Sequence, residues 1–346
     1  MTTKYFAAFL LAACACPAHA LQIYCISDPG FLYYALQATS DGGATSDDDT
    51  LVKIAAGTYS YAGAEYSYNN TKGHSLDIEG GYDSTCTTQS SAAGTTVLDG
   101  GNAFPALSVG STGNVTIRRV TFEHGFLHGG DGGGVNLYLN ASGGVAPTFL
   151  FENNQVLRNS SDYGAGGLIA FGQGTIRIVG NLMARNSAPF AAAVSVQLDA
   201  PSVVDFVNNT VANNVATGAS TEVVQLGTSG ASGTVMNNVV YGNTGAYDIY
   251  LYSTTMFAFS YNDYHTINGT PASSAHEFDV DPKFVSTLAD NFRLDSTSPL
   301  LGAGGTPPPG SFPLTDLDGH PRTFAGKIDL GAFQYGDGIF VSGFDR

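Results

Sequence analysis

A short segment carrying two asparagines recurs at a near-constant spacing through the middle of the chain, and it restricts the fold more than any other feature. Five copies follow one another with starts 27, 28, 29 and 24 residues apart, and a weaker copy precedes them. In every strong copy the third and eighth positions are apolar, as inward-facing strand positions should be. The copies begin at Val115, Phe149, Ile176, Val204, Gly233 and Phe257.

Asparagine occupies the sixth position of all five strong copies and the eleventh position of the first four. Stacked coils place equivalent residues about 4.8 Å apart, so each amide can donate to the next asparagine and accept from the previous one. Asparagine also tolerates the left-handed backbone angles that a coil corner needs. The sequence therefore predicts two asparagine ladders, Asn154, Asn181, Asn209, Asn238 and Asn262, and Asn159, Asn186, Asn214 and Asn243.

These columns predict an all-β chain folded as a single-stranded right-handed parallel β-helix. Helical solenoids repeat at about 33 residues or more, and a leucine-rich repeat needs a leucine framework that is absent here. We expect the β-helix with its N-terminal cap at 21–270, an irregular C-terminal cap or tail region at 271–335, and a last short tail at 336–346. Proline and aspartate become more frequent from Thr270 onward, where the repeat stops.

The first 20 residues have the pattern of an export signal. Lys4 precedes an apolar run, Pro17 interrupts it, and Ala18-His19-Ala20 has the small-x-small form of a cleavage site. The run is too short to span a membrane, which takes about 20 apolar residues, and we expect no transmembrane span. The alternative is a lipoprotein signal with lipidation at Cys14. The predicted location is extracellular or on the outer surface of the cell.

The cysteines of the predicted mature chain, Cys25 and Cys86, form a lone pair. In an oxidising compartment such a pair is most simply a disulfide; two unrelated buried thiols are the alternative. Asp28 suits a helix N-cap and Pro29 the first helical turn, which predicts a short capping helix at the open N-terminal end of the coil. The disulfide would join this cap to the first coils.

The chain is acidic, with 29 Asp and Glu against 13 Lys and Arg, and it has no basic run. Nucleic-acid binding depends on clustered Lys and Arg, and attraction to anionic lipid also needs basic groups, so neither partner is expected. There is no tryptophan, whereas 18 Tyr and 21 Phe remain available for stacking on sugars.

The repeats resemble a known group of β-helices. The Phe-x-x-Asn tetrads, together with glycine tracts such as Gly132–Val135 and Gly166–Leu168, are similar to the repeats of polymorphic outer-membrane proteins and other pectin-lyase-like proteins. The resemblance implies the coil and no particular activity. Pectate-lyase-like enzymes use an arginine base with aspartate-bound Ca²⁺, and no such motif can be matched here. The tetrads are Phe151–Asn154, Phe206–Asn209 and Phe259–Asn262.

The C-terminal region resembles a second, more specific family. Five short motifs in one order are similar to the choice-of-anchor Q region of bacterial surface and secreted β-helix proteins. That resemblance implies a segment that ends the β-helix and precedes an anchoring or sorting tail, and Gly338–Asp345 is similar to short tails of exported gammaproteobacterial proteins. The five motifs are Asp281–Phe284, Asn291–Leu294, Ser298–Gly304, Asp316–Arg322 and Ile328–Phe333.

The tenth repeat position brings together His124, Arg158 and Arg185 in consecutive coils. Like charges stacked this closely repel unless a carboxylate or an anionic ligand lies between them. Three interpretations are possible. The column is a surface salt-bridge ladder completed by Asp131 and Asp162, or a groove in which the arginines bind uronate carboxylates. The third is a catalytic site with an Arg or His base.

Other charged residues have simpler interpretations. Arg118 with Glu152, and Arg177 with Asp205, fall in shared columns of adjacent coils and are expected to form cross-strand ion pairs. Two acidic groups, Asp47–Asp49 and the pair Asp316 and Asp318, are interpreted as turn and cap residues, with Ca²⁺ as the alternative. We predict no metal site and no cofactor.

The leading functional hypothesis is a non-enzymatic extracellular or cell-surface β-helix that binds glycans or other surfaces, as an adhesin does. The alternative is a polysaccharide lyase or glycoside hydrolase acting on an acidic polysaccharide such as pectin or alginate, and a purely structural spacer is a third reading. The expected partner is a polysaccharide or a host or cell surface. The fold does not decide among these functions, since one scaffold hosts many sites. The sequence also leaves the oligomeric state open.

Overall fold

A computed structural model describes residues 20–336 except 62, 91–93, 220, 228–229, 253–255, 309 and 311. The predicted cleavage pattern, Cys14 and most of the last tail therefore lie outside the described residues. In the part of the chain that is described, no helix has the length and apolar character needed to cross a membrane.

The described residues form one α-helix and 31 β-strands. In chain order they are β1 (Leu21–Ile26), α1 (Pro29–Thr39), β2 (Asp49–Ala55), β3 (Gly57–Tyr59), β4 (Ser67–Asn70), β5 (Leu76–Tyr82), β6 (Thr96–Asp99), β7 (Leu107–Ser111), β8 (Val115–Arg118), β9 (Thr121–Glu123), β10 (Phe126–Leu127), β11 (Val135–Leu139), β12 (Thr148–Glu152), β13 (Gln155–Leu157), β14 (Ser160–Ser161), β15 (Leu168–Gly172), β16 (Thr175–Val179), β17 (Leu182–Ala184), β18 (Ser187–Ala188), β19 (Val194–Leu198), β20 (Val203–Val207), β21 (Thr210–Ala212), β22 (Val215–Ala216), β23 (Glu222–Leu226), β24 (Ser232–Met236), β25 (Val239–Tyr241), β26 (Tyr247–Leu251), β27 (Met256–Ser260), β28 (Ile267–Asn268), β29 (Ser273–Ala275), β30 (Phe284–Ser286) and β31 (Asn291–Leu294).

The strands stack into long parallel sheets that wind around one core, which confirms the right-handed parallel β-helix. A ten-stranded sheet runs β1-β2-β5-β8-β12-β16-β20-β24-β27-β29, and a seven-stranded sheet runs β3-β6-β9-β13-β17-β21-β25. An eight-stranded sheet runs β4-β7-β11-β15-β19-β23-β26-β28, and β10-β14-β18-β22 form a narrow four-stranded sheet. Only the pair β30 and β31 is antiparallel among these strands.

The predicted columns match the observed register. Phe151 pairs with Ile178 and Ile178 with Phe206 in the ten-stranded sheet, and Val156 pairs with Met183 in the seven-stranded sheet. All five side chains are at most 1% exposed. Period-2 alternation thus directs the apolar columns into a continuous core along the rod.

Both asparagine ladders are present, and their residues are buried except Asn243, which is half-buried. The backbone N–H of Asn154 donates to Oδ1 of Asn181 over 2.8 Å, and Nδ2 of Asn209 donates to Oδ1 of Asn238 over 3.1 Å. The first ladder ends where the N–H of Asn262 donates to Oε2 of Glu277 over 3.2 Å. The ladders hold adjacent coils together through buried amides that are fully engaged.

The left-handed corner angles lie one residue earlier than the sequence predicted. The ladder asparagines themselves do not take positive φ; the residues before them do, for example Asn153 at 52° and Asn208 at 54°. The ladder amide is therefore free to point inward, and the residue before it makes the turn. This is a correction to the predicted role of the ladder position.

The N-terminal cap is as predicted. Oδ1 of Asp28 accepts the N–H of Phe31 over 3.1 Å, and α1 buries Leu32 and Leu36 against the first coils. The disulfide Cys25–Cys86 is present, with Cα atoms 5.7 Å apart. It joins the first strand to the loop after β5, two strands along the ten-stranded sheet.

The described residues of 276–335, which we call the C-terminal strap, lie alongside the coils. Nδ2 of Asn153 donates to the carbonyl of Thr315 over 3.1 Å, and Nδ2 of Asn237 donates to the carbonyl of Gly305 over 2.8 Å. The expectation of a region that simply ends the β-helix was therefore incomplete, because the strap turns back and covers one side of the rod. Its apolar contacts with the coils include Leu182, Ala184, Ala212 and Val239.

Candidate functional site

The three basic residues of the tenth column stack as predicted. They directly follow Glu123, Leu157 and Ala184, which are partners in the register of the seven-stranded sheet. His124, Arg158 and Arg185 have φ of 51°, 54° and 58°, so they occupy the second left-handed corner of the coil.

This column is closed by carboxylates of the protein itself. Asp290 of the C-terminal strap forms ion pairs with both Arg158 and Arg185, and Arg185 also donates to the carbonyl of Thr287 over 2.6 Å. His124 Nδ1 lies 3.3 Å from Asp99. A salt-bridge cluster therefore occupies the place where the sequence allowed an open uronate groove.

The predicted partners of that ladder were wrong. Asp162 pairs with His128 and accepts the N–H of Gly129, which lowers its pKa. Asp131 lies in a cavity on another side of the rod. The sequence missed Asp290 because strap and column are more than 100 residues apart, and no repeat spacing relates them.

The other predicted ion pairs are present. Arg118 lies between Glu79 at 3.7 Å and Glu152 at 4.0 Å, and Arg177 lies 3.4 Å from Asp205. These pairs follow the outer face of the ten-stranded sheet.

The acidic groups considered for Ca²⁺ have protein partners. Asp47 pairs with Lys72 at 2.7 Å. The carboxylate of Asp316 accepts the backbone N–H groups of Asp318, His320 and Gln334 over 2.7 to 3.0 Å. This is the turn and cap role that the sequence suggested.

The outer face of the eight-stranded sheet carries features that the sequence analysis missed. Its register aligns two rows of residues on the side away from the core, most of them aromatic, amide or hydroxyl residues, and we call this surface the aromatic–amide face. The first row contains Ser67, Ser108, Asn136, Ile169, Ser195 and Gln225, and the second contains Asn69, Gly110, Tyr138, Phe171 and Gln197. Asn136, Ile169 and Ser195 in the first row are at most 2% exposed.

An aromatic pair lies in the middle of this face. The rings of Tyr138 and Phe171 stack with centroids 6.0 Å apart and planes 17° apart, and Tyr138 is 40% exposed. A cavity of about 300 Å³ lies on one side of the pair, lined by Ser67, Asn69, Ser108 and Asn140 among others. The pair thus forms an exposed apolar platform beside hydrogen-bonding groups.

A second cavity, of about 270 Å³, lies farther along the same face, and we call it the acidic cavity. Two carboxylates line it, Asp131 and Glu222, and burial raises the pKa of both. Tyr163 and Phe190 also line the acidic cavity, and they are 60% and 51% exposed. Its lining also includes Ser195, Gln197 and Gln225.

The polar residues of the acidic cavity form a connected network. Ser195 Oγ lies 2.5 Å from Oε1 of Gln225, and Nε2 of Gln197 donates to Ser195 Oγ over 3.0 Å. Nε2 of Gln225 reaches the hydroxyl of Tyr252 at 3.1 Å. Side chains held in this way are preorganised to meet ligand hydroxyls.

The acidic cavity is built where the repeat loses its register. Its residues come from the loops 128–134, 162–167 and 189–193 and from the strands β19 and β23. These loops differ in length from coil to coil. The strands of the eight-stranded sheet therefore lie outside the eleven positions that align in the sequence repeat. Alternation within each strand was the one signal that could have revealed this face.

Comparison with known proteins does not assign this chain to a family. The chain matches no family model and no curated protein. Among solved structures it is similar to the crystal structure of pectate lyase Pel9A, with 14% identity and a TM-score of 0.41 over 92% of this chain and 98% of that one. The resemblances to polymorphic outer-membrane repeats and to the choice-of-anchor Q region therefore stay predictions.

Proposed function

We propose that this protein is an exported β-helix that binds glycans along its aromatic–amide face. The observation that carries the proposal is the exposed Tyr138–Phe171 stack with a polar cavity on either side along one sheet. A sugar ring has an apolar face that packs on aromatic rings and a rim of hydroxyls that needs donors and acceptors.

The dimensions of the face suit a chain rather than a single small molecule. Its second row, from Asn69 to Gln197, crosses five adjacent strands. At about 4.8 Å per strand this row spans on the order of 20 Å along the rod. A glycan lying parallel to the rod axis would contact both cavities at once.

The charges of the face favour a glycan without carboxylates. Asp131 and Glu222 line the acidic cavity, and its lining residues include no lysine or arginine. A uronate there would meet like charge, which costs affinity. Arg158 and Arg185, which the sequence offered for uronate binding, are paired with Asp290. We therefore assign the glycan site to the aromatic–amide face and not to that column.

The test is binding to a panel of neutral and uronate-containing polysaccharides by affinity electrophoresis. Tyr138→Ala with Phe171→Ala should weaken binding to neutral glycans by about 30-fold, because each of the two lost stacking contacts contributes on the order of 1 kcal/mol. Tyr34→Ala is the matched control, since Tyr34 is a 58% exposed aromatic on the helix α1. Unchanged binding in a folded double variant would remove the proposal.

A second candidate, glycoside hydrolysis, is favoured by one specific observation. Asp131 and Glu222 share the acidic cavity, and a carboxyl group with a raised pKa can act as a general acid. Release of reducing ends from a bound glycan, lost in Glu222→Gln, would support hydrolysis. Binding without any release over long incubation supports the non-enzymatic function.

Export to the cell surface is part of the same proposal. The Cys25–Cys86 disulfide fits an oxidising compartment. Sequencing of the secreted protein should give Leu21 as its first residue, whereas a lipidated N-terminus at Cys14 would establish the lipoprotein alternative. Attachment through the last tail is tested by deleting 336–346 and measuring surface display.

A further inference from the structure

We propose that the acidic cavity binds the ammonium group of an amino sugar within the glycan. This inference rests on the proposed function and specifies its ligand. It follows from two unpaired carboxylates, two exposed aromatic rings and a polar network that all line one cavity.

Of the two carboxylates, Glu222 gives the stronger support for a cationic ligand. Its side chain lies at the cavity and is 8% exposed. Its carboxylate accepts a hydrogen bond from its own backbone N–H, and within the described residues it has no ion pair. A buried carboxylate without a cationic partner is costly, and a cationic ligand group would offset that cost directly.

Asp131 contributes a second carboxylate, and the loop at Gly164 leaves space for it because glycine has no side chain. Its Oδ1 lies 1.7 Å from the position that a Cβ of residue 164 would occupy, so any side chain at that position would displace the Asp131 carboxylate. The hydroxyl of Ser161 fixes this loop by accepting the N–H groups of Tyr163 and Gly164 over 3.0 and 3.1 Å. Asp131 also has no ion pair in the part of the chain that is described.

The remaining lining distinguishes an amino sugar from a simple cation. Tyr163 and Phe190 offer ring faces for stacking and for cation–π contact. Ser195 and Gln225 offer hydrogen-bonding groups for hydroxyls. A glucosamine-type unit presents an apolar ring face, hydroxyls and an ammonium group, and each matches one part of the lining.

The experiment compares two glucosamine oligomers of equal length, one fully deacetylated and one fully N-acetylated, by calorimetric titration of the full-length protein. The parent should bind the deacetylated oligomer at least about tenfold more tightly, as expected for a charge-assisted contact. Glu222→Gln should remove this preference, because it lowers the affinity for the deacetylated oligomer much more than the affinity for the N-acetylated oligomer. Gly164→Ala, which displaces Asp131, should reduce the preference as well.

Asp77→Asn is the matched control. Asp77 is a partly buried acid on the ten-stranded sheet whose pKa burial also raises, so the variant has the same change in net charge away from the cavity. It should keep the full preference.

Four results would overturn the inference. Equal affinity for the two oligomers would do so while leaving the proposed glycan function intact. Loss of the preference in Asp77→Asn would show that only net charge matters. A lysine-rich peptide that competes for the same site as tightly as the deacetylated oligomer would assign the cavity to peptide cations. Failure of every glycan to bind would remove the proposed function together with this inference.

Discussion

At the scale of single residues, the fold depends on buried polar groups that have partners in the neighbouring coil. Asn209 is fully buried, and its Nδ2 donates both to the carbonyl of Ile178 over 2.8 Å and to Asn238 over 3.1 Å. The sequence predicted this ladder because the same residue type recurs at one position in five coils. It did not predict Glu277 as the final acceptor, since Glu277 lies outside the repeat.

Asn209→Leu should lower the free energy of unfolding by about 1–3 kcal/mol, because the amide partners on both sides lose a buried hydrogen bond. Urea unfolding followed by circular dichroism measures this change. A shift within about 0.5 kcal/mol, as is usual for surface substitutions, would contradict a buried ladder.

Two carboxylates at the end of the coils, the buried Asp263 and the half-buried Glu277, should make stability depend on pH. Burial is the main cause that raises the pKa of Asp263 and of Glu277 to about 7. The folded state therefore holds protons that the unfolded state releases between the ordinary carboxyl range and about pH 7. By linkage, their contribution to stability decreases as the pH rises through that window.

The measurement is the urea midpoint of the parent and of the double variant Asp263→Asn, Glu277→Gln at pH 5.5 and pH 8. The midpoint of the parent should fall more between these values than that of the variant. Parallel pH profiles would show that the two groups do not titrate with raised pKa values.

At the scale of elements, the strap and the N-terminal cap close the rod in different ways. The cap could be predicted because Asp28 and Pro29 are local helix signals and the cysteines form a lone pair. The position of the strap could not, because its contacts, such as Asp290 with Arg185, join distant segments without a shared period. The eight-stranded sheet was missed for a similar reason, since loops of unequal length separate it from the aligned repeat.

Phe292 fixes the strap to the seven-stranded sheet. It is 1% exposed and packs in a cluster with Leu182, Ala184 and Ala212. Phe292→Ala should destabilise the protein by about 3–5 kcal/mol, the usual range for a buried Phe. Leu288→Ala in the same strap is the control, because Leu288 is 94% exposed. Similar effects of the two changes would mean that the strap does not pack on the coils.

The disulfide is tested on the denatured protein. Thiol titration of the unreduced chain should find no free thiol from Cys25 or Cys86. Because the bond spans 61 residues, its removal by Cys25→Ser with Cys86→Ser should lower stability by about 4 kcal/mol in the chain-entropy model. Two titratable thiols would contradict the bond.

At the scale of the whole molecule, the rod places different chemistry on its different sides. The seven-stranded side is covered by the strap, and its arginines are paired within the protein. The eight-stranded side exposes Tyr138, Tyr163 and Phe190 beside two cavities. The coil was predictable because it is periodic, whereas the candidate site arises from loops that interrupt the period.

Hydroxyl-radical footprinting with a saturating oligosaccharide tests the central claim most directly. Labelling of Tyr138, Tyr163 and Phe190 should fall when the glycan is bound, because it covers the aromatic–amide face. Tyr34 and Tyr335, which are 58% and 41% exposed elsewhere on the protein, should be labelled as before. Protection of Tyr34 or Tyr335, with Tyr138, Tyr163 and Phe190 unchanged, would contradict the assignment of glycan binding to this face.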